Sequence, residues 1–239
     1  MIPRNWRKAE EYDFCDRLTR EQWAWEFLRR HPEYQRQWHE FMDTWRALEA
    51  EYGRPPNRDF CAWKNDPRAW VPAAECPDGE CRVDGEKVLI ECAMGARWGF
   101  HKFPPDPADD DPVGAGRLSW RPRVPHPLPE VEQDEDLPQG LEEIALKFDL
   151  SMPLKPQLEQ ARRQLQKALA ARRRQGLQPK RISRLAPGWK RLLRYLDAQA
   201  VGEAQAFCAE LASEECRALA TAVERMLAGG YLEILDLPP

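Results

Sequence analysis

Aromatic and aliphatic side chains recur every three or four residues between Trp23 and Leu48, through Phe27, Tyr34, Trp38, Phe41, Met42 and Trp45. That period is one face of an α-helix, and rings this large have to be buried. The expected architecture is therefore a mainly α fold with a Trp-rich core. Thr19 followed three residues later by Gln22 is a capping-box pattern that opens a first helix. Pro32 ends it and suits the first turn of the next, which Gly53 and Pro55-Pro56 close. Ten Trp in 239 residues also exclude a disordered chain, because disordered chains are poor in aromatics.

Beyond residue 53 the pattern is less regular. Arg82 to Ile90 reads as a hairpin turning at Asp84-Gly85, the small β component of the fold. Residues 104 to 138 hold nine Pro and two acidic runs, Asp109-Asp110-Asp111 and Asp134-Glu135-Asp136, which predicts a linker over 104–140. Ile144, Leu146, Phe148 and Leu150 alternate with Ala145, Lys147 and Asp149, the period of a half-buried strand. Helical spacing returns over 157–175 and 188–200, then in a short segment with Phe207, Cys208 and Leu211. Ser213 opens a last helix that Gly229-Gly230 ends. Tyr231 to Leu237 reads as a terminal strand. The expected organisation is a Trp-rich domain at 1–103, the acidic Pro-rich linker, and a basic helical domain at 141–239.

Charge is divided unevenly. Between Lys155 and Arg194 lie 13 Lys and Arg against the single acid Glu159, whereas the rest of the chain has 23 bases and 39 acids. Acids are too scarce there to balance the bases by i,i+4 pairing. On a helical wheel Arg163, Lys167 and Arg174 fall opposite the apolar side of the 157–175 segment, and Lys190, Arg191 and Arg194 opposite that of 188–200. Arg173, Lys180, Arg181 and Arg184 complete a basic set whose natural partner is a polyanion held through its phosphates. Duplex DNA is the first expectation.

Trp6, Tyr12 and the run from Trp23 to Tyr34 resemble the transcriptional-regulator-like domain encoded on proteobacterial mobile elements. Arg97-Trp98-Gly99-Phe100, Asp106-Pro107 and Trp120-Arg121-Pro122 are similar to the pattern closing that domain. Leu193 to Ala198, Gly202 and Gly229-Gly230-Tyr231-Leu232 are similar to a companion C-terminal domain of DNA-binding, helix-turn-helix type. Proteins that pair the two include activators of excision of integrative and conjugative elements, and a single-domain relative is an antiactivator that binds its activator. The resemblance implies a transcriptional regulator of a mobile element. It also implies the alternative of an interaction subunit docking on a protein through its N-terminal domain, for which Arg29 and Arg30 are the candidate surface. Glu203 to Leu211 departs from the helix-turn-helix pattern, with two Glu and no Lys or Arg, so base reading is not expected of it.

Other chemistry finds little support. Cys76 and Cys81 have zinc-compatible spacing, but Cys61, Cys92 and His101 form no second tight pair, so free thiols around an Asp-Gly turn are expected. His31, His39, His101 and His126 stand beside no nucleophile motif, and no phosphate-cradling glycine loop occurs. The expectation is a protein without enzymatic activity, metal or cofactor. Seven scattered Cys, the lack of a secretory signal at Met1-Ile2-Pro3, and the lack of any apolar run near the ~18 residues that span a bilayer predict a cytoplasmic protein with unpaired cysteines.

Overall fold

Thr19 caps the first helix as its pattern predicts. Its hydroxyl accepts from the Gln22 amide while the Gln22 side chain accepts from the Thr19 amide, and helix α1 runs Arg20–Leu28. His31 takes the same role for α2, Pro32–Tyr52, with Pro32 in the first turn and the imidazole accepting from the Glu33 and Tyr34 amides. Both helices belong to a computed structural model that describes residues 3–76, 82–101, 103–122 and 140–238, with the side chains of 82–84 excepted. Two short elements follow, α3 (Phe60–Asn65) and strand β1 (Trp70–Pro72). The hairpin β2 (Arg82–Asp84) and β3 (Lys87–Leu89) then leads into α4 (Ile90–Trp98). The strands form one antiparallel sheet in the order β1-β3-β2, in register Trp70 with Leu89 and Val71 with Val88.

The chain divides into two compact units, Met1–Arg123 with Arg181–Pro239, and Val124–Lys180. The larger contains α6 (Ile182–Ala200), α7 (Ala204–Ala209) and α8 (Ser213–Arg225) as well as α1 to α4. The smaller contains α5 (Leu154–Arg174). In the larger unit Trp23 and Phe27 of α1 meet Trp189 of α6 at centroid distances of 5.3 and 6.4 Å. Trp6 meets Phe207 at 5.3 Å. One core thus runs from Trp6 to Ile234 and joins segments that the sequence reading gave to separate domains.

Residues 104–109 serve that core and not only as linker. Carbonyls of Pro104, Pro105, Pro107 and Asp109 accept from the side chains of Trp38, Tyr34, Arg29 and Trp25, at 3.3, 2.5, 3.2 and 2.9 Å. Proline offers no N–H, so such a segment bonds chiefly through its carbonyls. At Gly99, φ is 88° and a Cβ would come within 2.9 Å of Leu232, so the turn after α4 requires glycine. Residues 123–139 of the expected linker lie outside the described residues.

Three expectations need correction. Ile144 to Leu150 is not a strand, since no sheet neighbour accompanies it among the described residues. Instead it runs back along α5. Arg172 donates to the Leu141 carbonyl at 2.9 Å and to that of Glu143, while Asp149 and Gln157 exchange hydrogen bonds of 2.9 Å. Tyr231 to Asp236 is helical, turned by Gly229 at φ 113° and drawn in by the buried Tyr231 and Ile234. The cysteines are not all unpaired. Cys208 and Cys216, 5.5 Å apart at Cα, form a disulfide because the turn between α7 and α8 folds them together, and Cys92 is also disulfide-bonded. Cys15, Cys61 and Cys76 are free thiols, and burial pushes the Cys15 thiol up to about 12. Cys81, half of the zinc-spaced pair, lies outside the described residues.

Candidate nucleic-acid interface

Helix α5 forms because Leu, Gln, Lys, Arg and Ala, all good helix formers, fill most of its 21 residues. Arg172, Arg173 and Arg174 occupy the last turn, where cations meet the negative end of the helix dipole. Gly176, at φ 105°, ends it, with the Leu177 amide donating to the Arg172 carbonyl at 2.9 Å in a Schellman arrangement.

The basic set named from the sequence is divided between the two units. Arg163, Lys167, Arg173, Arg174 and Lys180 lie in the smaller, and Arg181, Arg184, Lys190, Arg191 and Arg194 in the larger. At roughly 100° per residue, Arg163, Lys167 and Arg174 project within about 40° of one another. Arg163 and Arg174 are about 16 Å apart along the axis. All three are exposed, and among the described residues Arg163, Lys167 and Arg173 have no ion-pair partner. Arg174 reaches only its own helix, at the Ala170 carbonyl, and Lys180 pairs with Glu142 at 3.2 Å.

The cations of α6 are differently placed. Lys190 sits between Asp13 and Asp16 at 3.1 and 3.3 Å. Burial lowers its pKa, but those two carboxylates outweigh the effect and the net shift is upward. Arg191 pairs with Glu215 at 2.5 Å, and Arg194 donates to the Trp6 carbonyl at 2.8 Å. All three line a cleft of about 420 Å³ with Asp13, Phe207 and Leu211. It is a mixed-charge surface, unlike the one-signed face of α5.

Sequence reasoning missed a buried ionic network in the larger unit. Arg30 makes two 3.0 Å bonds to Asp197, 0% exposed, and a salt bridge to Glu26, 2% exposed. Tyr12 donates to Asp197 at 2.6 Å, and burial together with that bond raises its hydroxyl pKa. Burial alone would lower the Arg30 pKa, and the Glu26 and Asp197 charges reverse this. Arg29 continues the chain to Glu26 at 3.2 Å and Asp110 at 2.7 Å. Arg29 and Arg30 are therefore internal, and no longer candidates for a partner surface. Their spacing from Glu26, three and four residues on one helix, was the signal available in the sequence.

Among the described residues, no three or more His, Cys, Asp or Glu gather in a way that could hold a metal, and no helix is long and apolar enough to cross a membrane. Residues 5–59 match the family model of the proteobacterial transcriptional regulator-like domain. Neither the curated proteins nor the solved structures contain a match to the chain.

Proposed function

We propose that this chain is a transcriptional regulator of a bacterial mobile element that grips duplex DNA mainly through phosphates and carries out no catalysis. The observation behind this reading is the row Arg163, Lys167 and Arg174 on α5, which is exposed and one-signed. At about 3.4 Å per phosphate along a strand, 16 Å follows roughly five phosphates. Arg173 and Lys180 add to the charge of the smaller unit, and Arg181 and Arg184 to that of the larger. Lys190, Arg191 and Arg194 are held by acids and by a backbone carbonyl, so we assign them to the fold first and to DNA second. The regulator-like match over residues 5–59 supports a role in transcription, and the mobile-element setting rests on the resemblance of the chain to proteins that pair the two domains.

The alternative, an interaction subunit docking through aromatic or basic residues of the N-terminal segment, has less behind it. Trp23, Trp25, Tyr34 and Trp38 are buried, as are Arg29 and Arg30. Binding of one duplex across a salt series, by wild type and by Arg163→Ala/Lys167→Ala/Arg174→Ala, tests the proposal. Each lost phosphate contact should flatten the slope of log K against log salt by about 0.9. Equal slopes and equal affinities for the two proteins would overturn it.

A further inference from the structure

We infer that the apolar stripe of α5 is a docking face for an acidic amphipathic helix of a partner protein. It does not depend on the DNA reading, because it concerns the other side of the helix.

Among the described residues, eight of the eleven exposed large hydrophobic side chains belong to the smaller unit, and Leu158, Leu165 and Leu169 of α5 are 57, 42 and 43% exposed. The segment 141–149 leaves these leucines uncovered. The stripe steps by four and three residues, Leu154, Leu158, Ala161, Leu165 and Ala168, which is the repeat of a coiled-coil seam; Ala161 is buried and Ala168 half-buried within it, and the leucines form its open side. Such a seam takes knobs from a second helix.

Charge selects which helix. On the wheel Lys155 and Arg162 fall in a single row, about 20 to 60° from Leu158 and Leu169, where flanking residues of a coiled coil face the partner. Glu159 is the only acid on α5. A second copy would set an equal row of cations against this one, which repels. Nucleic acid would meet the cations and leave the leucines in water. A helix with aliphatic residues at three- and four-residue spacing and Glu or Asp beside them satisfies both. An anionic membrane would also do so, but helices that lie in membranes present a broad apolar face with aromatic anchors. The α5 stripe is narrow, and the helix has no Trp, Tyr or Phe.

The test uses the full chain and three probes. These are a synthetic helix matched to α5 in length with Leu at the seam and Glu at the flanks, the same peptide with Lys at the flanks, and phosphatidylglycerol vesicles. Anisotropy should show the Glu peptide binding and the Lys peptide failing to bind. Leu158→Gln/Leu165→Gln/Leu169→Gln should lose at least tenfold in affinity, and Lys155→Ala/Arg162→Ala severalfold with a weaker salt dependence. Arg163→Ala/Lys167→Ala/Arg174→Ala should retain binding, which separates this face from the DNA face. Leu165→Gln alone, with unchanged circular dichroism, guards against loss of helix. Equal binding of the two peptides, absence of Glu-peptide binding, leucine-dependent uptake by vesicles instead of peptide, or a leucine-dependent dimer in sedimentation would each overturn the inference.

Discussion

Helices α2 and α5 are the same length, 21 residues, and have opposite fates. Helix α2 buries Tyr34, Trp38, Phe41 and Leu48, and its Arg36 is answered on the surface by Glu33 and Glu40 at i,i+3 and i,i+4 spacing. Helix α5 buries Ala161, and most of its cations have no acid within a turn. An aromatic stripe with balanced flanks belongs to a scaffold. A leucine stripe with one-signed flanks is what the proposed interface calls for. The difference lies less in amphipathicity, which both have, than in whether the chain itself supplies what covers the apolar face.

The severest way to break this contrast is at the ionic network of the scaffold. Arg30→Ala strands Glu26 and Asp197 as buried, unpaired carboxylates, and should cost roughly 3 to 5 kcal/mol in denaturant unfolding. A loss below about 1 kcal/mol would mean that the network is solvated and the scaffold looser than described. Next in size is the disulfide between Cys208 and Cys216. Closing a loop this short by chain entropy is worth about 2 to 3 kcal/mol, so reductant should lower the melting temperature by several degrees. An unchanged melting curve would return these two thiols to the unpaired state that their sequence suggests.

Smaller again is the effect of pH at His31. Its Nδ1 accepts from the first amides of α2 while Nε2 donates to the Leu227 carbonyl at 3.2 Å, which defines the neutral tautomer. Burial lowers its pKa below the ordinary histidine value. The unfolded chain therefore binds the proton more readily than the folded one. Stability should be full above the unfolded value near 6.5 and decline as pH falls from there toward the folded value. His31→Asn, which preserves a capping side chain, should remove that part of the pH dependence; an identical profile would place the titration elsewhere. The smallest effect belongs to α5. Arg163→Ala/Lys167→Ala/Arg174→Ala should alter stability by no more than about 0.5 kcal/mol per site, since these side chains touch little. A large loss would make α5 part of the scaffold and dissolve the contrast.

Helices with strong periodicity were legible from sequence, because burial imposes its period directly. The capping box at Thr19 and the span of α2 stand as read, and the hairpin after Arg82 turns one residue later than expected, at Gly85-Glu86, with Asp84 paired to Lys87. Helix α6 begins at Ile182, six residues before its expected start, with Pro187 inside it. Pro187 is the sixth residue of the helix, so it forfeits the bond that an N–H there would give to the Ser183 carbonyl, and burial of Trp189, Leu192 and Leu193 just beyond it holds the helix together. Ile144 to Leu150 was misread because an apolar alternation does not by itself supply the neighbour that a strand needs. The basic block was legible as charge but not as two populations. Only distances show that Lys190 lies between Asp13 and Asp16, more than 170 residues earlier, while Arg163 faces water. Asp197 was invisible as the partner of Arg30 for the same reason.

The smaller unit is inserted, in sequence, between two halves of a single core, and this bears on how the protein is made. At about 5 to 20 residues per second, the Trp-bearing half leaves the ribosome several seconds before Trp189 and Asp197 follow. Throughout that interval Arg30 and Glu26 lack their third member and the rings of α1 lack their cover. Folding of that core therefore waits on residues 181–239 and not on the helices that form first.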